Sequence, residues 1–205
     1  MNRISLRDGT FSGQRDAIEI VIINAGPVSR EYFANDFDAS QTVLATCWSV
    51  DTQRPDPDVQ VRQSSRCLDC KQNIRGSSGY GRACRFLQRI AVVSTDNLKE
   101  VQQIQLPATS IFGKTKGGHM PLQEYVRHLA KNNTKATSVV TKIYFDNNSA
   151  VPKLFFKPVC GLNKEQLETV RDMANHPDAI EAITFAVKQS ATPSPFDIGE
   201  GYAHN

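Results

Sequence analysis

Phe86-Leu87-Gln88-Arg89-Ile90-Ala91-Val92-Val93, a turn at Asp96-Asn97, and Val101-Gln102-Gln103-Ile104-Gln105-Leu106 make up the stretch from which the fold is read. Both runs carry the regular apolar pattern of strands, and the turn between them predicts two neighbours in one sheet. Upstream, Ala17-Ile18-Glu19-Ile20-Val21-Ile22-Ile23 is a short β-branched run closed by Gly26-Pro27 and predicts the first strand. Gln41-Thr42-Val43-Leu44-Ala45-Thr46-Cys47-Trp48 predicts the second, entered from the polar residues 35–40, which makes 86–93 the third. The residues before Asp16 hold few apolar side chains and predict a loop or a short edge strand.

Downstream, Pro121 suits the first turn of a helix, and Leu122, Tyr125, Val126 and Leu129 recur at helical spacing on one face. Residues 137–145 and 151–159 predict two more strands around Asp146-Asn147-Asn148-Ser149. Asn163 and Gln166 have the spacing of a capping box, with Leu162 and Leu167 where a hydrophobic staple would stand. A second helix begins near Pro177, with Ile180, Ile183 and Val187 expected on its inner face. These elements predict a mainly β chain with helices (α+β): an OB-like five-stranded barrel with its helix between the third and fourth strands. The expected organisation is a core over residues 1–160 that includes a cysteine-rich insertion at 50–85 between strands 2 and 3. C-terminal helices at 161–188 and a disordered tail at 189–205 follow.

The insertion has almost no aliphatic periodicity and cannot bury itself, so it needs a staple. Cys67-Leu68-Asp69-Cys70 is a C-x2-C pair, Cys84 follows a glycine-rich return, and Cys47 stands where the insertion departs. Four thiolates of this kind suit a tetrahedral zinc, so one structural Zn2+ on Cys47, Cys67, Cys70 and Cys84 is expected. Cys160 and His119 are alternative fourth ligands. An odd total of five cysteines, no run of about 18 apolar residues and no secretory apolar stretch at the start predict a soluble intracellular protein without a disulfide framework.

The net charge of +3 hides an asymmetry, because residues 61–89 hold seven cations against Asp69 alone, a local net of +6. A field of one sign beside a rigid metal site is what phosphate binding requires. Aromatic side chains are interleaved with these cations, the composition by which single strands are held through backbone contacts and base stacking. The expected contacts are Trp48, Arg66, Lys71, Arg75 and Tyr80, then Arg82, Arg85, Phe86 and Arg89, with Lys114 and Lys116 added by a mobile basic loop. A second candidate surface has Lys142 and Tyr144 on one strand and Lys153, Phe155 and Lys157 on the next.

Catalytic patterns are absent. The stretch Ser110-Ile-Phe-Gly113-Lys114-Thr115 has Ala108 where a phosphate loop needs glycine, and Asp56 and Asp58 stand in a proline-rich turn. A non-enzymatic binding protein is expected.

The stretch Cys47-Trp-Ser-Val-Asp51, Pro55-Asp-Pro, Ser64-Ser-Arg-Cys67-Leu-Asp-Cys70-Lys-Gln-Asn73, Gly76-Ser77 and Gly79-Tyr-Gly-Arg-Ala-Cys84, running into Arg89-Ile-Ala-Val-Val93, resembles a group of bacteriophage single-stranded DNA-binding proteins with a cysteine-rich insertion in an OB-like core. The resemblance implies a protein that coats strands exposed during phage DNA replication and recombination, without sequence preference, in the cytoplasm of the infected bacterium. RNA fits the same stacking and phosphate chemistry, and replication proteins would be further partners. Many such proteins end in a strongly acidic tail, whereas residues 194–205 hold only Asp197 and Glu200. The alternative is a zinc-knuckle module that binds and regulates a host or phage polymerase. No membrane contact is expected.

Overall fold

The computed structural model describes residues 2–4, 6–7, 10–11, 16–34, 45–79, 81–149 and 151–185. Its strands are β1 (Asn2–Arg3), β2 (Leu6–Arg7), β3 (Thr10–Phe11), β4 (Ala17–Tyr32), β5 (Cys47–Ser49), β6 (Arg85–Ser94), β7 (Asn97–Pro107), β8 (Val139–Phe145) and β9 (Leu154–Gly161). The helices are α1 (Ala108–Ile111), α2 (Leu122–Lys131), α3 (Lys164–Ala174) and α4 (Pro177–Ile183). Seven strands form one sheet in the order β1-β7-β6-β4-β8-β9, with β5 added to β4, while β2 and β3 pair as a separate hairpin. Among the described residues, only the short β1 runs parallel to its neighbour.

Strand β4 organises the sheet because it is long enough to serve three partners. It pairs with β6 from Ile20 to Glu31, with β8 through Ala17 to Ile20, and with β5 through Arg30 to Tyr32. The expected stop at Gly26-Pro27 does not occur. The register shifts between Ala25 and Val28, so Pro27, which has no N–H to offer, falls within an irregularity where a ladder bond is not required.

The apolar runs 20–23 and 90–93 lack alternation because both faces of the sheet are covered. Ile20, Ile22, Ile90, Val92, Ile104, Leu106, Ile143, Phe145, Leu154 and Phe156 point to one core, closed by Leu122, Tyr125 and Leu129 of α2. Val21, Ile23, Ala91, Val93 and Val101 point the other way and pack under Val170 of α3 and Ala179 and Ala182 of α4. Val126 is 48% exposed and Ile180 54%, so neither shares the inner face expected of it. On α4 the buried positions are the small Ala179 and Ala182, which let the helix sit close to the sheet. A Cβ on Gly26 would stand 2.6 Å from the Ile183 carbonyl oxygen, so the end of this helix rests on bare backbone.

Side-chain bonds stitch these layers. Gln103 is buried, accepts from Arg3 Nε at 2.8 Å and donates to the Ala182 carbonyl at 2.5 Å, so its amide is satisfied on both sides. Tyr125, fully buried, meets Thr141 Oγ1 at 2.6 Å. The expected capping box opens α3: Asn163 Oδ1 accepts from the Gln166 N–H and Gln166 Oε1 from the Asn163 N–H.

The structure is α+β, but its sheet is open among the described residues, since β7 and β9 share no ladder. That seam is bridged instead by α1 and the chain after it. Leu154 N–H donates to Ser110 Oγ at 2.9 Å, Thr109 Oγ1 to the Pro152 carbonyl at 2.9 Å, and Phe156 N–H to the Met120 carbonyl at 2.8 Å. The cysteine-rich excursion also changes place. Of the expected second strand only Cys47 and Trp48 form a ladder, with Ser49 after them, on the far end of β4, and residues 41–44 lie outside the described set. The excursion therefore joins the two principal strands β4 and β6, the first and second long strands of the sheet. Val187 and the tail from 189 lie outside the described residues.

Candidate metal centre and strand-binding surfaces

Turns, not apolar packing, shape the insertion. Cys67 N–H donates to the Gln53 carbonyl and Cys84 N–H to the Gln72 carbonyl, both at 2.8 Å, which draws three parts of the loop together. Asp51 accepts from the N–H groups of Gln53 and Arg54 and from Ser49 Oγ, and these bonds hold its carboxyl below the usual carboxylate range. Among the described residues of 50–84, Val59 is the one large apolar side chain that joins a core cluster, beside Cys47 and Trp48.

Cys47, Cys67, Cys70 and Cys84 line one small space, the first three buried and Cys84 half-buried. Burial pushes the Cys84 thiol up to about 11, Arg30 pulls the other way, and the Cys67, Cys70 and Cys47 sulfurs add to the rise. Burial likewise raises Cys47, against a hydrogen bond from the Gln63 backbone and alongside the Cys67 and Cys70 sulfurs. Thiols this close repel one another once ionised, so four thiolates here require a cation among them. No set of three or more His, Cys, Asp or Glu side chains among the described residues is already arranged to hold a metal ion. The convergence is of position, not of finished coordination geometry. Cys160 is exposed on β9, and His119 lies against Tyr144 and Phe155; neither lines this space.

Arg30 lines the same space. It is 8% exposed, and its Nε and Nη1 are buried without a hydrogen-bond partner among the described residues, while the guanidinium carbon lies 4.0 Å from the Phe86 ring centre. A buried cation whose donors are unmet is costly unless negative charge faces it. Thiolates around a divalent metal would supply that charge, so Arg30 fits a metal–thiolate centre better than four neutral thiols. Spacing alone offered no signal for it.

The expected strand contacts divide into two groups. Lys71, Arg75, Arg82 and Arg85 are exposed, and none reaches an acid among the described residues; Arg66 is exposed with Asp69 at 3.5 Å. Lys114 and Lys116 are exposed on the loop before α2. Tyr80 lies outside the described residues. Trp48, in contrast, is 7% exposed, and Arg89 is taken up by Glu31 at 2.6 Å in a largely buried pair. Phe86 is half-buried, edge-on to Phe112. These three are not free surface side chains: Trp48 and Arg89 lie under Phe185, and Phe86, on the opposite face of β6, lies against Arg30 and Phe112.

The second surface is assembled by register. Lys142 pairs directly with Lys157, and Tyr144 with Phe155, on the face of β8–β9 away from the core. Lysines set opposite one another repel, and Lys142 also stands opposite Glu19 of β4. His119 arrives from the loop before α2, with its ring 5.0 Å from that of Phe155 and Nδ1 3.0 Å from Tyr144 Oη. The tight return that delivers it uses left-handed Gly117 (φ 57°) and Gly118 (φ 82°). Lys153 lies over Phe155 at 4.7 Å and bonds Asp146 at 2.8 Å, which with the Asn148 N–H keeps that carboxyl below its usual range.

Comparison of the chain with protein-family models, with curated proteins and with solved structures found no match. Among the described residues, no helix is long and apolar enough to cross a membrane.

Proposed function

We propose that this protein binds single-stranded nucleic acid without sequence preference, coating DNA strands exposed during phage replication and recombination in the host cytoplasm. The observation that carries this is the outer face of β8–β9, where the Lys142–Lys157 pair stands beside Tyr144, the half-buried ring of a pair whose other member, Phe155, is 9% exposed under His119 and Lys153. Cations track a phosphate backbone, and aromatic faces stack bases of any sequence. The order β7-β6-β4-β8-β9, with α2 between β7 and β8, is that of an OB-type barrel numbered 3-2-1-4-5 and left open at the 3–5 seam. In that numbering the insertion is the loop between strands 1 and 2, and residues 146–153 form the loop between strands 4 and 5. Those are the two loops with which OB folds hold oligonucleotides. The exposed Lys71, Arg75, Arg82 and Arg85 then extend the binding surface.

Zinc on Cys47, Cys67, Cys70 and Cys84 would cross-link an insertion that has little apolar core, contributing its binding energy to folding. Arg30 would balance the charge of the thiolates. The test is titration of purified protein with a labelled oligo-dT of about 30 nucleotides over a range of salt, before and after chelation. Tight, salt-dependent binding supports the proposal, and absence of binding at low salt overturns it.

A second reading has one observation in its favour. Leu68 is 70% exposed, Ile74 61% and Val61 58%, all on the insertion. A knuckle with that apolar surface suits docking to a protein such as a polymerase. A fixed one-to-one complex, without loading that grows with oligonucleotide length, would favour it.

A further inference from the structure

Phe185 follows the last turn of α4 and lies against two of the residues expected to hold a strand. Its ring is stacked on that of Trp48, with centroids 5.9 Å apart and planes at 15°, and the Arg89 guanidinium carbon lies 4.5 Å from its centre. Stacking on tryptophan and contact with an arginine cation are two ways in which a protein holds a nucleobase. We propose that Trp48 and Arg89 form a base-stacking site which the chain's own Phe185 fills in the free protein, and which a nucleic-acid strand must take from it. The proposal rests on the single-strand reading above.

The neighbourhood suits a nucleotide. Trp48 pairs with Glu31 and Glu31 with Arg85, so the three side chains stand abreast on one face across β5, β4 and β6. Arg85 is exposed and stands ready for a phosphate next to a ring held on Trp48. Arg89 is held in place by Glu31 at 2.6 Å, so its position does not depend on the ring above it. Trp48 also follows Cys47 directly, which places the site at the root of the insertion.

Delivery of Phe185 is built into the fold. The end of α4 is fixed by the Gln103 bond to the Ala182 carbonyl at 2.5 Å and by the close approach of Ile183 to Gly26. Phe185 itself is only half-buried, so the helix is anchored while the ring remains open to exchange. A filler of the core would contribute stability alone; a competitor also lowers affinity for the strand.

The two roles separate in one experiment, because Trp48 is the only tryptophan in the chain. Wild type, Phe185→Leu, Phe185→Ala and Gly26→Ala are titrated with oligo-dT of about 30 nucleotides, following Trp48 emission and the anisotropy of the labelled oligonucleotide. Phe185→Leu keeps apolar volume without the ring, and Gly26→Ala pushes the end of α4 away while meeting Arg89 only at its carbonyl oxygen, in ordinary contact at 3.5 Å. Thermal melts identify any variant that fails to fold. The expected result is quenching of Trp48 on binding and affinity tightened on the order of tenfold in the variants, since the competing stack is gone. Binding that leaves Trp48 emission unchanged, or equal affinity in all four proteins, overturns this proposal and leaves the single-strand reading standing. Absence of binding by all four overturns both.

Discussion

Replacing Arg30 by methionine should act in opposite directions on the metal-free and metal-loaded protein. Arg30 is 8% exposed, and two of its nitrogens are buried without a partner among the described residues. Each unmet donor costs about 1–3 kcal/mol, and the buried charge itself several more, while the contact with Phe86 returns at most about 2 kcal/mol. Without metal, Arg30→Met is therefore expected to leave stability unchanged or to raise it by about 1–3 kcal/mol. With metal the sign reverses. Four thiolates around Zn2+ leave two negative charges uncompensated, and Arg30 is the cation lining their space. Losing such a supporting group costs about 10–100-fold in metal affinity, or about 1.4–2.8 kcal/mol. Urea melts with chelator and with one equivalent of zinc, together with competition against a chromophoric chelator, measure both quantities. A destabilisation of equal size in the two states, or unchanged zinc affinity, refutes the reasoning.

The Lys142→Ala, Lys157→Ala double variant should lower the log–log salt slope of oligonucleotide binding by about 1.4, at roughly 0.7 for each phosphate no longer neutralised; an unchanged slope places the strand elsewhere. Tyr144→Ala should weaken binding by about 1–3 kcal/mol at constant salt, read by anisotropy, if that ring stacks a base. Arg89→Ala should destabilise the fold by about 3–5 kcal/mol in a urea melt, because it strands the buried carboxylate of Glu31. The Asp146 carboxyl, held low first by its hydrogen bond with Lys153, contributes stability that is complete above the ordinary aspartate range and is lost as pH falls through its depressed value. The protection factors of amides in the β8–β9 turn, taken relative to intrinsic exchange at each pH, should therefore fall on acidification, and Asp146→Asn should abolish that pH dependence.

Much of the local structure was legible from the residues. The runs at 17–23, 86–93 and 101–106 are strands, Leu122, Tyr125 and Leu129 face the core, and Asn163 with Gln166 caps α3, because periodicity and capping are short-range properties. That Cys47, Cys67, Cys70 and Cys84 line one space was also legible, since a loop with little apolar periodicity must close on something else. What failed depended on partners distant in sequence. Gly26-Pro27 reads as a stop until the register shift against β6 absorbs it, and Trp48 and Arg89 read as surface contacts until Phe185 is placed on them.

By itself, then, the sequence determined most of the strands and helices and which stretch is basic, all consequences of neighbours within a few residues. Only the tertiary structure decided that Lys142 faces Lys157, that His119 covers Phe155, that Arg30 is buried among thiols and that the C-terminal helices cover β4 and β6. Those outcomes depend on register and on the packing of elements far apart in the chain, and a one-residue slip in any of these strands would turn the same side chains to the opposite face.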